Sequence, residues 1–159
     1  MHKTSSEAVE TAGRLVELVA DTTDVDIMIA PVFTALDPVS KVVDGSRVGL
    51  GAQNLYWEKE GAYTGEVSVD MLRSVGAEYV IIGHSERREY YNEDNAFLSA
   101  KVDIALKNGL TPIFCCGEPL EIREAETHFD YVTNQLTESL FHLSETDFKK
   151  LVIAYEPIW

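Results

Sequence analysis

Val80-Ile81-Ile82-Gly83-His84-Ser85-Glu86-Arg87-Arg88 is a short β-branched run that stops at a glycine and places a histidine and a glutamate just beyond it. An apolar run of this length bounded by glycine fits a strand covered on both faces. Ionisable residues at the C-terminal tip of such a strand stand where α/β sheets keep their active sites. The run therefore predicts both a sheet and the end of it that does chemistry.

Four further runs of the same kind flank it: Asp26 to Ala30, Arg47 to Ala52, Ile113 to Cys116 and Leu151 to Tyr155. With Tyr79 to Ile82 they give five predicted strands, each but the last followed by a segment with helical periodicity. This alternation predicts βα units and a parallel sheet, and excludes all-α and all-β folds. Because the runs are apolar almost throughout, both faces of each strand are expected to be buried, as in a barrel or a doubly wound sheet.

The helical segments carry their own punctuation. Thr4-Ser5-Ser6-Glu7 is a capping box that leads into Ala8, Ala12, Leu15 and Val19. Ser68 is placed to cap a helix that Gly76 ends. Phe97, Ala100 and Ile104 define the expected packed face of another, closed by Asn108-Gly109; Val132, Leu136, Leu140 and Leu143 define a third, and Ser144 starts a short last turn. The first predicted strand is followed by Ala30-Pro31-Val32-Phe33, with no glycine-rich nucleotide loop.

The 159 residues suit one globular unit with a sizeable core. With 27 acidic against 13 basic residues and a formal charge of -14, neither nucleic acid nor an anionic membrane is expected as a partner. An anionic substrate would have to be held by local donors against that field. Cys115 and Cys116 are neighbours that a strand points to opposite faces, which disfavours a disulfide between them and fits a reduced, cytoplasmic protein. No signal-like or membrane-spanning apolar run is present in the sequence.

His84 and Glu86 form His-x-Glu, but the Pro-Cys-x-x-Cys that a zinc deaminase would need downstream is missing, and no metal site is expected. A lone histidine at a strand end is most simply a hydrogen-bonded structural residue. Glu156 changes that balance, since Leu151-Val152-Ile153-Ala154-Tyr155-Glu156-Pro157 delivers a carboxylate at the tip of a second strand. A partly desolvated carboxylate there suits proton abstraction from carbon; a salt-bridged rim residue is the equal alternative. Pro157 starts a loop directly after it. The long polar loop containing Trp57-Glu58-Lys59-Glu60-Gly61 and Tyr63-Thr64-Gly65-Glu66 carries aromatic residues that favour an interface with another subunit.

Taken together, Ile82-Gly83-His84-Ser85-Glu86-Arg87-Arg88, Ala62-Tyr63-Thr64-Gly65-Glu66, Cys115-Cys116-Gly117-Glu118 and Ala154-Tyr155-Glu156-Pro157-Ile158-Trp159 closely resemble the triosephosphate isomerase family. Ala30-Pro31-Val32-Phe33-Thr34-Ala35-Leu36 and Gly51-Ala52-Gln53-Asn54 match as well, in order, so the resemblance runs the whole length of the chain. It implies a (βα)8 TIM barrel, with residues 1–159 as a single partial barrel domain lacking the first strand and the last two βα units. It also implies cofactor-free interconversion of dihydroxyacetone phosphate and D-glyceraldehyde 3-phosphate in glycolysis and gluconeogenesis. By resemblance Glu156 is the base and His84 the electrophile, Ser85 holds Glu156 in the open site, Glu86 supports the site and Cys115 packs beneath it. Tyr63, Thr64, Gly65 and Glu66 would form the loop that reaches across a homodimer.

The family's first strand ends in Asn-x-Lys, which has no counterpart here, and the closing loop and glycine-rich phosphate site after Trp159 have none either. The chain looks cut at both ends. A five-strand piece with two open edges is expected to be poorly stable and inactive alone. The alternative readings are a noncatalytic assembly partner and a different phosphate-handling barrel enzyme such as an aldolase, which should present a strand-end lysine.

Overall fold

Strands form where the apolar runs stand, and the computed structural model describes all of residues 1–159. They are β1 (Ile27–Ile29), β2 (Val48–Ala52), β3 (Tyr79–Ile82), β4 (Thr111–Cys116) and β5 (Val152–Tyr155). The hydrogen-bonded order follows the chain, β1-β2-β3-β4-β5. Ile27 pairs with Val48, Gly51 with Tyr79, and Ile113 with Val152, all in parallel. Parallel neighbours in chain order require a crossover between each pair, and helices supply it.

By packing, the chain divides into two compact units, Met1–Val80 and Ile81–Trp159. In the first, α1 (Ser5–Leu18) and α2 (Leu36–Val43) pack on each other, and α3 (Val69–Ser74) precedes β3. The Thr4 backbone N–H and hydroxyl both donate to the Glu7 carboxylate at 2.7 Å, the reciprocal half of the predicted capping box. Ser68 caps α3 by accepting the Met71 N–H, and Gly76 ends that turn with φ +80°. The core here is Leu36, Val39, Leu50, Leu55 and Leu72, with Ala12 and Ala35 where elements approach closely. In the 53–67 loop, Tyr56 stacks on Trp57 at 4.5 Å and meets Tyr63 at 4.9 Å. The aromatic surface is thus covered partly within the loop itself, while Tyr63 stays 42% exposed.

In the second unit, α4 (Ser85–Tyr90), α5 (Asn95–Lys107), α6 (Leu120–Glu124), α7 (His128–Leu140) and α8 (Glu145–Phe148) accompany the end of β3, β4 and β5. Phe114, Leu98, Val102, Ala105 and Leu140 form its core, where α7 packs on α5 and β4. The packed face of α5 is Leu98, Lys101, Val102 and Ala105, one position round from the expected Phe97, Ala100 and Ile104. The reason is Lys101. Its ammonium is buried against Glu93 Oε1 at 2.8 Å, and Arg87 Nε donates to the same oxygen at 2.8 Å. A lysine neutralised in this way occupies a position that hydrophobic periodicity assigns to an apolar residue.

Burial of both strand faces does not hold throughout. On β3 and β4 alternate residues are fully buried and the others half-buried. Val152 and Ile153 on β5 are 49% and 38% exposed. β5 pairs with β4 along one edge only, and its apolar residues are open to water. No helix is long and apolar enough to cross a membrane.

Candidate active site

His84, Ser85, Glu86 and Glu156 sit just beyond the C-terminal ends of β3 and β5, and Cys115 lies in the last residues of β4. β3 stops at Ile82 and the chain turns at Gly83, whose φ of +83° disfavours any side chain. Space enforces the same choice, since a Cβ there would lie 2.8 Å from the Cys115 carbonyl oxygen and 3.0 Å from the Arg88 guanidinium. His84 follows as the N-cap of α4, and its Nδ1 accepts the Glu86 backbone N–H at 3.3 Å. A neutral imidazole that accepts at Nδ1 carries its hydrogen on Nε2 and can donate it outward. The Glu86 carboxylate lies 3.7 Å from the same Nδ1 and is largely exposed, too distant and too wet to displace that bond.

β5 delivers Glu156. Tyr155 pairs with Cys116, and the Glu156 N–H donates to the Cys116 carbonyl at 2.9 Å, so the ladder fixes the backbone of the carboxylate one residue past the strand. Gly117 lies directly alongside: a Cβ on it would collide with the Glu156 carbonyl oxygen. Gly83, His84, Ser85, Arg88, Cys115, Cys116, Gly117 and Glu156 surround a crevice of about 10 Å³, room for one water. A larger hollow of about 480 Å³ lies in the first unit, edged by Asp26, Arg47 and Glu78 where β1, β2 and β3 begin. Sites of parallel sheets occupy the opposite, C-terminal ends, so the small crevice is the candidate.

A family model described as triosephosphate isomerase matches residues 1–159. The chain belongs to the triosephosphate isomerase family. It is 54% identical over 161 residues to triosephosphate isomerase of Cytophaga hutchinsonii, and 50% identical over 160 residues to that of Porphyromonas gingivalis. Each match covers 100% of this chain and 64% of the relative, so the chain spans just under two thirds of the length of these proteins. The crystal structure of triosephosphate isomerase from Bartonella henselae superposes with a TM-score of 0.89 at 34% identity, covering 100% of this chain and 65% of that one. The fold is accordingly part of a (βα)8 barrel.

Within this family frame, four of the residues singled out in the sequence, His84, Ser85, Cys115 and Glu156, line one crevice. Ser85 and Glu156 line that crevice together. Cys115 is half-buried, and its thiol is pushed up to about 11, chiefly by burial and then by its neighbours Cys116 and Glu156. Burial also raises the Cys116 thiol. Tyr63, Thr64, Gly65 and Glu66 belong to the first unit, at the tip of an exposed loop.

Sequence reading missed the clamp behind the crevice. Arg88 Nε donates to the Gly83 carbonyl at 2.7 Å, one terminal nitrogen to Asn95 Oδ1 at 2.8 Å and the other to the Cys115 carbonyl at 3.2 Å. One guanidinium thereby ties the tip of β3 to β4, with the Phe114 ring 5.6 Å away. The pair Arg87-Arg88 in the quoted run was the available signal.

Glu118 is fully buried at the far side of the same loop. It accepts the Tyr155 hydroxyl at 3.0 and 2.9 Å, its backbone carbonyl takes the Ile158 N–H at 3.1 Å, and Arg123 lies 3.6 Å away. Burial on its own would raise this carboxyl, but hydrogen bonds from Tyr155 and Trp159 and the charge of Arg123 outweigh it and hold it below the usual carboxylate value. Glu118 therefore anchors both ends of the segment that carries Glu156.

Proposed function

We propose that the intact protein is an aldose–ketose isomerase that interconverts dihydroxyacetone phosphate and D-glyceraldehyde 3-phosphate without a cofactor. Glu156 removes the proton from the substrate carbon and returns it to the adjacent one. His84 donates from Nε2 to the carbonyl oxygen and moves protons between the two oxygens of the enediolate. The single observation that supports this most is the convergence of His84 and Glu156 on one crevice, with His84 Nδ1 occupied by the Glu86 N–H and Nε2 left to face a substrate. A base and an electrophile on separate strand tips can act together on neighbouring atoms of one small molecule.

Ser85 is a candidate partner for Glu156 before substrate binds, Glu86 holds the His84 ring through its N–H, and Cys115 forms the floor. We further propose a single partial barrel domain for residues 1–159 and a C2 homodimer contacted through Tyr63, Thr64, Gly65 and Glu66. That loop tip is exposed, and its ring cluster gives it a defined shape. A cytoplasmic glycolytic role follows from the same reading. The charge of -14 disfavours nucleic acid and anionic membranes as partners.

The test is kinetic. In the intact protein, Glu156→Gln and His84→Gln should each lower kcat by about 10²- to 10⁴-fold, the usual contribution of a general acid or base. Deuterium from solvent should enter the product at carbon in the wild type. A wild-type protein without isomerase activity, or variants within threefold of it, would refute the proposal.

A further inference from the structure

We propose that Gln135, on α7, is a positioning residue that holds Glu156 in register through Gly117; this rests on the isomerase reading above. Gln135 is a buried amide on a helix face that otherwise packs with Ser139 and Leu140. Its Oε1 accepts the Gly117 N–H at 3.0 Å. Gly117 lies one residue past β4, beyond the reach of the strand ladder, so its buried N–H depends on a side chain for a partner. An apolar residue of similar volume would suit the packing of α7 as well, but it would leave the buried Gly117 N–H without an acceptor.

The link from Gly117 to the base is steric. The Glu156 carbonyl oxygen occupies the space that a side chain at 117 would take, and the Glu156 N–H is bonded to the Cys116 carbonyl at 2.9 Å. The backbone of the base is thus bracketed on one side by Cys116 and on the other by Gly117. Gln135 fixes the height of Gly117, and through it the carbonyl side of that bracket. Releasing the Gly117 N–H lets the 116–118 turn move, and Glu156 moves with it.

Gln135→Met keeps the side-chain volume and removes the acceptor; Gln135→Glu keeps an oxygen at the same reach. In the intact protein, Gln135→Met should lower kcat about tenfold or more with KM within about twofold, because the base is displaced while substrate binding is not. Gln135→Glu should recover most of that kcat. Leu140→Val loosens the same helix without touching Gly117 and should leave kcat unchanged. A crystal structure of Gln135→Met should show the Glu156 backbone displaced relative to the wild type, a readout that holds whichever reaction the site performs. Full kcat in Gln135→Met, an equal loss in Leu140→Val, or an unmoved Glu156 would overturn the proposal. Absence of isomerase activity in the wild type would instead overturn the functional reading, with the crystallographic arm still deciding the role of Gln135.

Discussion

Replacing Gly117 with alanine is the sharpest probe of how Glu156, the proposed base, is placed. The added methyl would overlap the Glu156 carbonyl oxygen, and both are backbone-borne, so no rotamer change relieves the clash. Normal carbon–oxygen separation requires the two segments to part by about 1 Å. The Cys116 carbonyl bond to the Glu156 N–H, 2.9 Å long, resists that movement on one side, so the shift falls on the Glu156 to Pro157 peptide. Misplacement of a reacting group by about 1 Å can reduce turnover by about 10²-fold, equivalent to roughly 2.7 kcal/mol on the barrier. In the intact protein, Gly117→Ala should therefore show kcat about 10²-fold lower in both directions, measured with coupled assays, and KM little changed. The control is Gly13→Ala. There the nearest heavy atom to the new methyl would be a Val42 methyl at 3.8 Å, an ordinary contact. If Gly117→Ala retained kcat within threefold, the argument from close backbone approach would be wrong.

Gly13 lies inside α1, so Gly13→Ala should raise stability by about 0.5–1 kcal/mol in urea unfolding while leaving activity intact. Arg88→Met removes three hydrogen bonds and strands two backbone carbonyls, and should cost about 2–4 kcal/mol in the same measurement. Glu118 has a folded-state pKa below its ordinary value of 4.5, so its ionised form contributes stability that is complete above that value and is lost as pH falls through the lower folded one. The stability difference between wild type and Glu118→Gln should accordingly shrink as pH drops below about 4.5, and a difference that stayed constant would contradict the assignment.

The strands were readable because a buried parallel strand is written in consecutive apolar residues, and Gly83 and Pro157 mark where two of them stop. His84 and Glu156 were readable for the same reason, being the first ionisable residues after such runs. The face of α5 was not, because Lys101 becomes a core residue only through Glu93, eight positions away, and periodicity treats it as solvent-facing. Arg88 and Gln135 escaped notice on similar grounds. Their roles lie in bonds to backbone carbonyls and to a backbone N–H, which residue spacing does not encode. The exposure of Val152 and Ile153 was invisible too, since composition reports what a strand prefers and not which neighbours it meets.

Cys115 sets a condition on the proposed chemistry. One of the two triose phosphates is an aldehyde, and a thiolate beside an aldehyde adds to it to form a hemithioacetal. With its thiol pushed up to about 11 by burial, Cys115 is ionised in only about one molecule in 10⁴ at neutral pH. The sulfur can then line the crevice beside Glu156 as an inert, soft sphere, and a site of the proposed kind can hold a reactive carbonyl without trapping itself.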